Sequence, residues 1–257
     1  MKFTRRRRTP AETAPAEAPV EARAEAPAAA AEPAPDSAPA PEPKQAKKEF
    51  PGSAAYWEKR YADGGNSGGG SRGTNAEFKA EVLNKFTAEH GIESVIEFGC
   101  GDGEQLSLAE YPRYLGFDVS PTQLRRTMER YADDPTKSFA LYDGDSFADP
   151  AGFITADMAM SLDVIYHLIE DKVYDLHLKH VFGAARRNVV LFTGDASDPS
   201  LAGEFAPHVR IRPVLKDVEE RFPEWRLRER IANPRPWSEF GADGSIADFF
   251  IYERAGD

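Results

Sequence analysis

The stretch Val95-Ile96-Glu97-Phe98-Gly99-Cys100-Gly101-Asp102-Gly103 sets a carboxylate near the end of an apolar run and follows it with three glycines at alternate positions. A short apolar run bounded in this way reads as a buried strand. Alternating glycines read as a turn that needs positive φ, or a very close backbone approach by a ligand. A second apolar run, Tyr114-Leu115-Gly116-Phe117, ends in Asp118. That position lies about 20 residues beyond the glycines, where a carboxylate at a strand tip grips ribose hydroxyls in a doubly wound sheet. Together the two features imply a ligand that contains a nucleoside.

The glycine spacing separates two kinds of such ligand. The dinucleotide fingerprint is G-x-G-x-x-G, opening a helix whose N-terminus faces a pyrophosphate. Here the third glycine comes one residue early, and Glu104 stands where the fingerprint wants glycine. This disfavours an NAD-dependent oxidoreductase. The pattern Glu97-x-Gly99-x-Gly101-x-Gly103 instead resembles motif I of class I S-adenosylmethionine-dependent methyltransferases. Their cofactor has no pyrophosphate and carries a cationic α-amino group, which a carboxylate such as Glu97 can face directly or through water.

The elements that position these residues follow from periodicity and caps. Ser53 is expected to cap a short helix carrying Tyr56, Trp57, Arg60 and Tyr61, and the glycine-rich run Gly64–Gly73 to form a mobile loop. Thr74-x-x-Glu77 reads as a capping box, opening a helix with Phe78, Val82 and Phe86 on one face and stopping near Gly91. Strands are predicted at Ser94–Phe98 and up to Asp118, with a helix after the glycines. Ser120-Pro121-Thr122-Gln123 is a second capping box, with Leu124 and Met128 facing inward. Further strands are expected at Ser138–Tyr142, Met158–Leu162, Asn188–Thr193, Trp225–Ile231 and Ala247–Tyr252. Helices are expected at Glu170–Phe182 and Pro213–Phe222. Alternation of this kind argues for a parallel α/β sheet with helices on both faces and an antiparallel pair at the end.

Composition divides the 257-residue chain. From Ala11 to Pro43 nearly every residue is Ala, Pro or Glu, with no aromatic side chain. Such a stretch buries too little apolar surface to offset its ordering entropy, so residues 1–50 are expected to be a disordered tail and 51–257 the folded domain. The basic start, Arg5 to Arg8, precedes no apolar core of a signal peptide, and no apolar run is long enough to span a membrane. The basic end can contact a partner or an anionic surface, or simply stay solvated. The chain carries a net charge of −11; residues 1–50 hold nine Lys/Arg against eight Asp/Glu, which leaves −12 on the remainder. An acidic domain is a poor platform for a polyanion, so nucleic acid is disfavoured as acceptor. Cys100 is the single cysteine, excluding an internal disulfide and a cysteine-based metal cluster and pointing to a reducing, cytoplasmic setting. His177 and His180 share a helix face but show no third ligand, so no metal is expected. His90 and His208 read as surface residues.

The motif order extends the resemblance over about Tyr56 to Arg254. After motif I and Asp118 come Asp145 and then Ser161-Leu162-Asp163-Val164-Ile165-Tyr166-His167-Leu168, which is similar to the stretch after strand four in small-molecule methyltransferases. The family's sheet is seven-stranded, in the order 3-2-1-4-5-7-6 with strand seven antiparallel. Tyr56-Trp57-Glu58-Lys59-Arg60-Tyr61 with its glycine loop is similar to a bacterial subgroup that often accompanies glycan-assembly genes. The resemblance implies that Gly99, Gly101 and Gly103 admit the cofactor, Asp118 binds ribose, and Asp145 or Asp143 lies near adenine with Ser146 and Phe147 beside the ring. It also implies that backbone around Ser161 and Leu162 lines the methionine part, with Asp163 nearby. Tyr56, Trp57, Arg60 and Arg72 would form a lid, with an Arg facing the cofactor carboxylate. Asp143-Gly144-Asp145 is equally an ordinary turn, Trp57 equally core packing, and Asp163 equally a cap.

Methyl transfer to a hydroxyl also needs a proton acceptor, and His suits that role near neutral pH. His167, at the carboxyl edge of the sheet, is the first candidate and Tyr166 the second; the alternative for His167 is packing alone. The expected activity is S-adenosylmethionine-dependent methylation of a small molecule or glycan-type acceptor, on oxygen. The rival reading is a non-catalytic cofactor-binding module whose tail docks a partner.

Overall fold

A computed structural model describes residues 50–256. The expected tail at residues 1–49 lies outside the described residues. Seven strands form one sheet: β1 (Val95–Phe98), β2 (Tyr114–Asp118), β3 (Lys137–Leu141), β4 (Ala156–Leu162), β5 (Ala185–Thr193), β6 (Trp225–Ile231) and β7 (Asp248–Arg254). Their order is β3-β2-β1-β4-β5-β7-β6, the order the resemblance implies. β1 pairs in parallel with β2 and β4, while β7 runs antiparallel between β5 and β6. The order reverses beside β1, so β1 has its neighbours' connections leaving on opposite sides, and a crevice opens at its carboxyl end.

The α-helices among the described residues are α1 (Ser53–Ala62), α2 (Gly73–Glu89), α3 (Pro121–Arg130), α4 (Asp171–Ala184), α5 (Val214–Arg221) and the one-turn α6 (Trp237–Phe240). The period of two sorts the central strands between two cores. Ile96, Phe98, Ala159, Val189, Leu191 and Phe250 pack with Leu178, Val181 and Phe182 of α4 and Val214 and Val218 of α5. Val95, Met158, Met160, Val190, Phe192 and Phe249 pack with Leu83 and Phe86 of α2 and Leu124 of α3. β4 and β5 are buried on both faces, which is why they read as unbroken apolar runs.

Five local expectations need correction. No α-helix follows the glycines; Gln105–Leu108 makes only a 3₁₀ turn. α2 starts at Gly73 with Arg72 before it and no side-chain cap, so the Thr74 capping box does not form. The buried stripe of α2 is Ala76, Lys79, Ala80, Leu83, Phe86 and Thr87, with Phe78 and Val82 at its margin. In α3 Ser120 Oγ accepts the Gln123 N–H as expected, but the Gln123 side chain reaches Thr127 instead of closing the box. Met128 points out, 48% exposed, because the inward turn is filled by Leu124 and Thr127.

Candidate active site at the carboxyl edge of the sheet

A cavity of about 410 Å³ sits over the carboxyl ends of β1, β2 and β4, within the size range of small-molecule sites. Glu97, Gly99, Cys100 and Gly101 form its floor at β1, Asp118 and Val119 stand at β2, and Leu162 to Val164 at β4. Leu141, Tyr142, Val173 and Leu176 make an apolar end wall, with Asp143 and Asp145 at its mouth. Trp57 and Tyr61 of α1, Lys79 of α2, and His167 face it as well.

The glycine turn is held by Asp118. Its Oδ2 accepts the Gly101 N–H at 2.8 Å and its Oδ1 accepts the Ser120 N–H at 2.9 Å. Burial raises the Asp118 carboxyl to about 6, and these backbone donors oppose the rise. Each oxygen retains lone-pair capacity for a ribose hydroxyl. Gly101 sits at φ 54, and a side chain there would run into the Ser67 hydroxyl. The glycine is thus required by the protein's own packing as well as by any ligand.

Glu97 is buried and accepts the Tyr114 hydroxyl at 2.5 Å. Desolvation raises its carboxyl to about 7, against the Tyr114 hydrogen bond and the Lys79 charge. Lys79 is 1% exposed, with Nζ 2.6 Å from Asp163 Oδ2 and 5.3 Å from the centre of the Phe192 ring. Asp163 has φ 59, the one positive value outside glycine among the described residues. Its other oxygen accepts the Tyr166 hydroxyl at 2.8 Å. One small volume therefore holds two buried carboxylates and a third paired to a buried ammonium. A zwitterion with an α-amino and an α-carboxyl group matches that donor set, and a nucleoside matches Asp118 and the apolar wall.

His167 lines the cavity beside Trp57, their ring centroids 5.0 Å apart. Its Nδ1 lies 2.8 Å from the His208 carbonyl oxygen. Desolvation lowers the imidazole to about 4, further aided by the charges of His208 and Arg60 and opposed by that hydrogen bond and by Asp163.

α1 crosses the cavity between the N-termini of two helices. At one end the Ser53 hydroxyl lies 2.6 Å from Glu170, just before α4, and 2.7 Å from the His167 carbonyl. Farther along, Glu58 accepts from the Ser120 hydroxyl at 2.6 Å and from Thr122, at the start of α3. The glycine-rich loop closes beside it: Ser67 and Asp102 exchange hydrogen bonds of 3.0 Å in both directions. Burial raises the Asp102 carboxyl, but the Ser67 N–H and Arg72 outweigh it, and the group is held below its ordinary value.

Several expected residues stand elsewhere. Gly103 packs on Thr127 of α3 and on Tyr131 just after it, and does not line the cavity. The Ser161 side chain lies beneath the floor, 2.8 Å from His177 Nε2, and burial drives His177 down to about 3. Arg72 is turned to Asp102 at 2.7 Å, and the cation that does reach the cavity is Lys79. Tyr166 gives its hydroxyl to Asp163, and burial raises its phenol well above the ordinary value, which removes it as a base. Phe147 belongs to the core under the sheet with Phe98, Phe117 and Tyr142, and Ser146 bonds Asp143. Asp145 is at the mouth, paired with Lys172. His208 is half-buried rather than free on the surface; its ring stacks 4.8 Å from Tyr56 and 5.5 Å from His167. Lys79 had a signal in the sequence, since a charge interrupts the apolar stripe of α2. His208 and Ser67 had none.

No family model matches the chain, and a search of curated proteins gave no match. Solved structures do match. The N-methyltransferase NodS from Bradyrhizobium japonicum WM9, in complex with S-adenosyl-L-homocysteine, is 16% identical with a TM-score of 0.60, over 79% of this chain and 99% of that one. Magnesium protoporphyrin IX methyltransferase from Synechocystis PCC 6803, with bound S-adenosylmethionine, is 13% identical with a TM-score of 0.54, over 79% and 97%. The methyltransferase domain of bacterial CtHen1-C is 19% identical with a TM-score of 0.53, over 68% and 96%. At these identities the likeness establishes a shared fold.

Proposed function

We propose that residues 51–257 are an S-adenosylmethionine-dependent methyltransferase acting on oxygen of a small-molecule or glycan-type acceptor. The observation that carries the reading is the grouping of Glu97, Asp163 and Lys79 with Asp118 in one cavity at the carboxyl end of β1. Glu97 would face the α-amino group, Lys79 the α-carboxylate, Asp118 the ribose hydroxyls, and the wall of Leu141, Tyr142 and Leu176 the base. When bound, the cofactor supplies an electrophilic methyl on a sulfonium. The chain's own part is to align the acceptor and exclude water, with α1 as the cover, and His167 would take the acceptor's proton. A dinucleotide is the poorer fit, because the 3₁₀ turn at Gln105–Leu108 provides no α-helix N-terminus for a pyrophosphate. The solved neighbours are named for different acceptors, so the fold does not choose one. The net charge of −12 on the folded part argues against a polyanion.

Calorimetry tests the reading. S-adenosylmethionine and its demethylated product are expected to bind, and NADH not to. Asp118→Asn removes a charge from a hydrogen bond worth about 1.5–3 kcal/mol, so affinity should fall about ten- to a hundredfold. Wild-type affinity in that variant, or no binding by folded wild-type protein, would overturn it.

A further inference from the structure

We infer that the segment 207–210 fixes His167 as the Nδ1–H tautomer with Nε2 bare, and that the acceptor is a hydroxyl compound that docks by donating its own O–H to that nitrogen. The acceptor half rests on the methyltransferase reading; the tautomer half stands on geometry alone.

A backbone carbonyl accepts and never donates. The 2.8 Å contact between His167 Nδ1 and the His208 oxygen therefore requires the proton to be on Nδ1. The ring is neutral at physiological pH because burial drives it down to about 4. A neutral imidazole with a proton on Nδ1 has a lone pair on Nε2, the reverse of the tautomer that dominates in free histidine. Nε2 has no hydrogen-bond partner among the described residues, and His167 lines the cavity.

The carbonyl is held in place independently. The Arg210 N–H donates to the Tyr166 oxygen at 2.8 Å, and the Val209 N–H to the Ala206 oxygen at 2.8 Å. The His208 ring lies between Tyr56 and His167, at interplanar angles of 14° and 17°. Turning the His167 ring over would break the hydrogen bond, because a C–H would then face the His208 carbonyl. The charged and titratable groups that face it are Arg60 from α1, His208 from its own segment, and Asp163 and Tyr166 from the end of β4. The hydrogen bond to the His208 carbonyl and the Asp163 charge favour a second proton on the ring; burial, the His208 ring and Arg60 oppose it.

A bare Nε2 selects the acceptor by its hydrogen. A carboxylate or phosphate would set lone pair against lone pair. An amine needs no such partner, since after methylation it can keep its protons as an ammonium. A hydroxyl does need one, because its methylated form would otherwise be an oxonium. The acceptor oxygen forms its bond to the methyl carbon, the carbon–sulfur bond breaks with its electron pair left on sulfur, and the hydroxyl proton passes to Nε2. The imidazolium keeps its Nδ1–H bond to the His208 carbonyl, lies beside the Asp163 carboxylate, and releases the added proton to water.

The test is nitrogen NMR of the full chain labelled with ¹⁵N-histidine, with the His167 signals among the five histidines assigned by loss in His167→Gln. At pH 7 His167 should show a protonated Nδ1 and an unprotonated Nε2. A protonated Nε2, or a ring protonated at both nitrogens, overturns the tautomer. Phenol and benzoate, added with S-adenosylhomocysteine, then probe the acceptor half. Phenol should move the Nε2 resonance upfield and benzoate should leave it. A response to benzoate, or none to phenol, overturns the hydroxyl assignment. S-adenosylmethionine affinity measured on the same sample keeps a failure of the cofactor reading distinguishable, because the tautomer is read without turnover.

Discussion

Burial makes Glu97 and Asp118 costly to ionise before any ligand arrives, and this has a pH signature. A carboxyl raised by folding stabilises the fold below its unfolded value and loses that contribution as pH rises through its folded value. For Glu97 the window runs from 4.5 to about 7, and for Asp118 from 3.8 to about 6. The Glu97→Gln variant keeps an acceptor for the Tyr114 hydroxyl and removes the charge. Its melting temperature should match wild type near pH 4.5 and exceed it above pH 7, by up to roughly 3 kcal/mol of stability. Thermal melts across pH 4.5–8.5 check this; parallel curves would show that folding does not raise the Glu97 carboxyl. The same variant should bind S-adenosylmethionine more weakly, so stability and affinity move in opposite directions at one residue. His167 and His177 have the opposite sign. Their lowered values mean stability that is present above 6.5 and lost as pH falls toward about 4 and about 3.

At the scale of elements, α1 depends on the caps of two other helices. Ser120 both caps α3 and donates to Glu58, so one hydroxyl serves two elements. Ser120→Ala should cost about 1 kcal/mol as a lost cap, with a further loss from α1. Glu58→Ala should cost less, and the double variant less than the sum, because the two share a contact. Melting of the three variants gives the coupling, and strict additivity would mean that α1 is not fastened there. These contacts also mark the boundary of what the sequence conveyed. The strands and the longer helices announced themselves through period-two and helical stripes, and the sheet order through the resemblance. Glu97 and Asp118 were legible because local motifs put them at strand tips. His208 and the Ser67–Asp102 exchange were not, because their roles arise between residues far apart in the chain, and Lys79 showed only as a charge within an apolar stripe, with nothing local to point to Asp163. In place of the expected helix after the glycines stands a 3₁₀ turn, preceded by Gly103, whose carbonyl accepts the Tyr131 hydroxyl, a partner 28 residues away that no local pattern reveals.

For the whole molecule, the folded part is acidic and its core is complete from β1 to β7. Residues 1–49 contribute no composition suited to a core, so a chain beginning at Phe50 should fold and bind S-adenosylmethionine as the full chain does. Calorimetry and melting of the shortened chain check this, and failure to fold would assign the tail a packing role. Trp57 lines the cavity. It is one of three tryptophans, and neither Trp225 nor Trp237 lines the cavity. Its ring has the Arg60 guanidinium 5.5 Å from its centre, His167 at its side, and rides on α1. Indole emission depends on nearby charge and on water, so the helix that covers the cavity carries its own optical probe. Saturation with S-adenosylhomocysteine should change the intrinsic fluorescence, and Trp57→Phe should abolish the change. The time course of that signal after rapid dilution then measures how long the cover stays shut over a product.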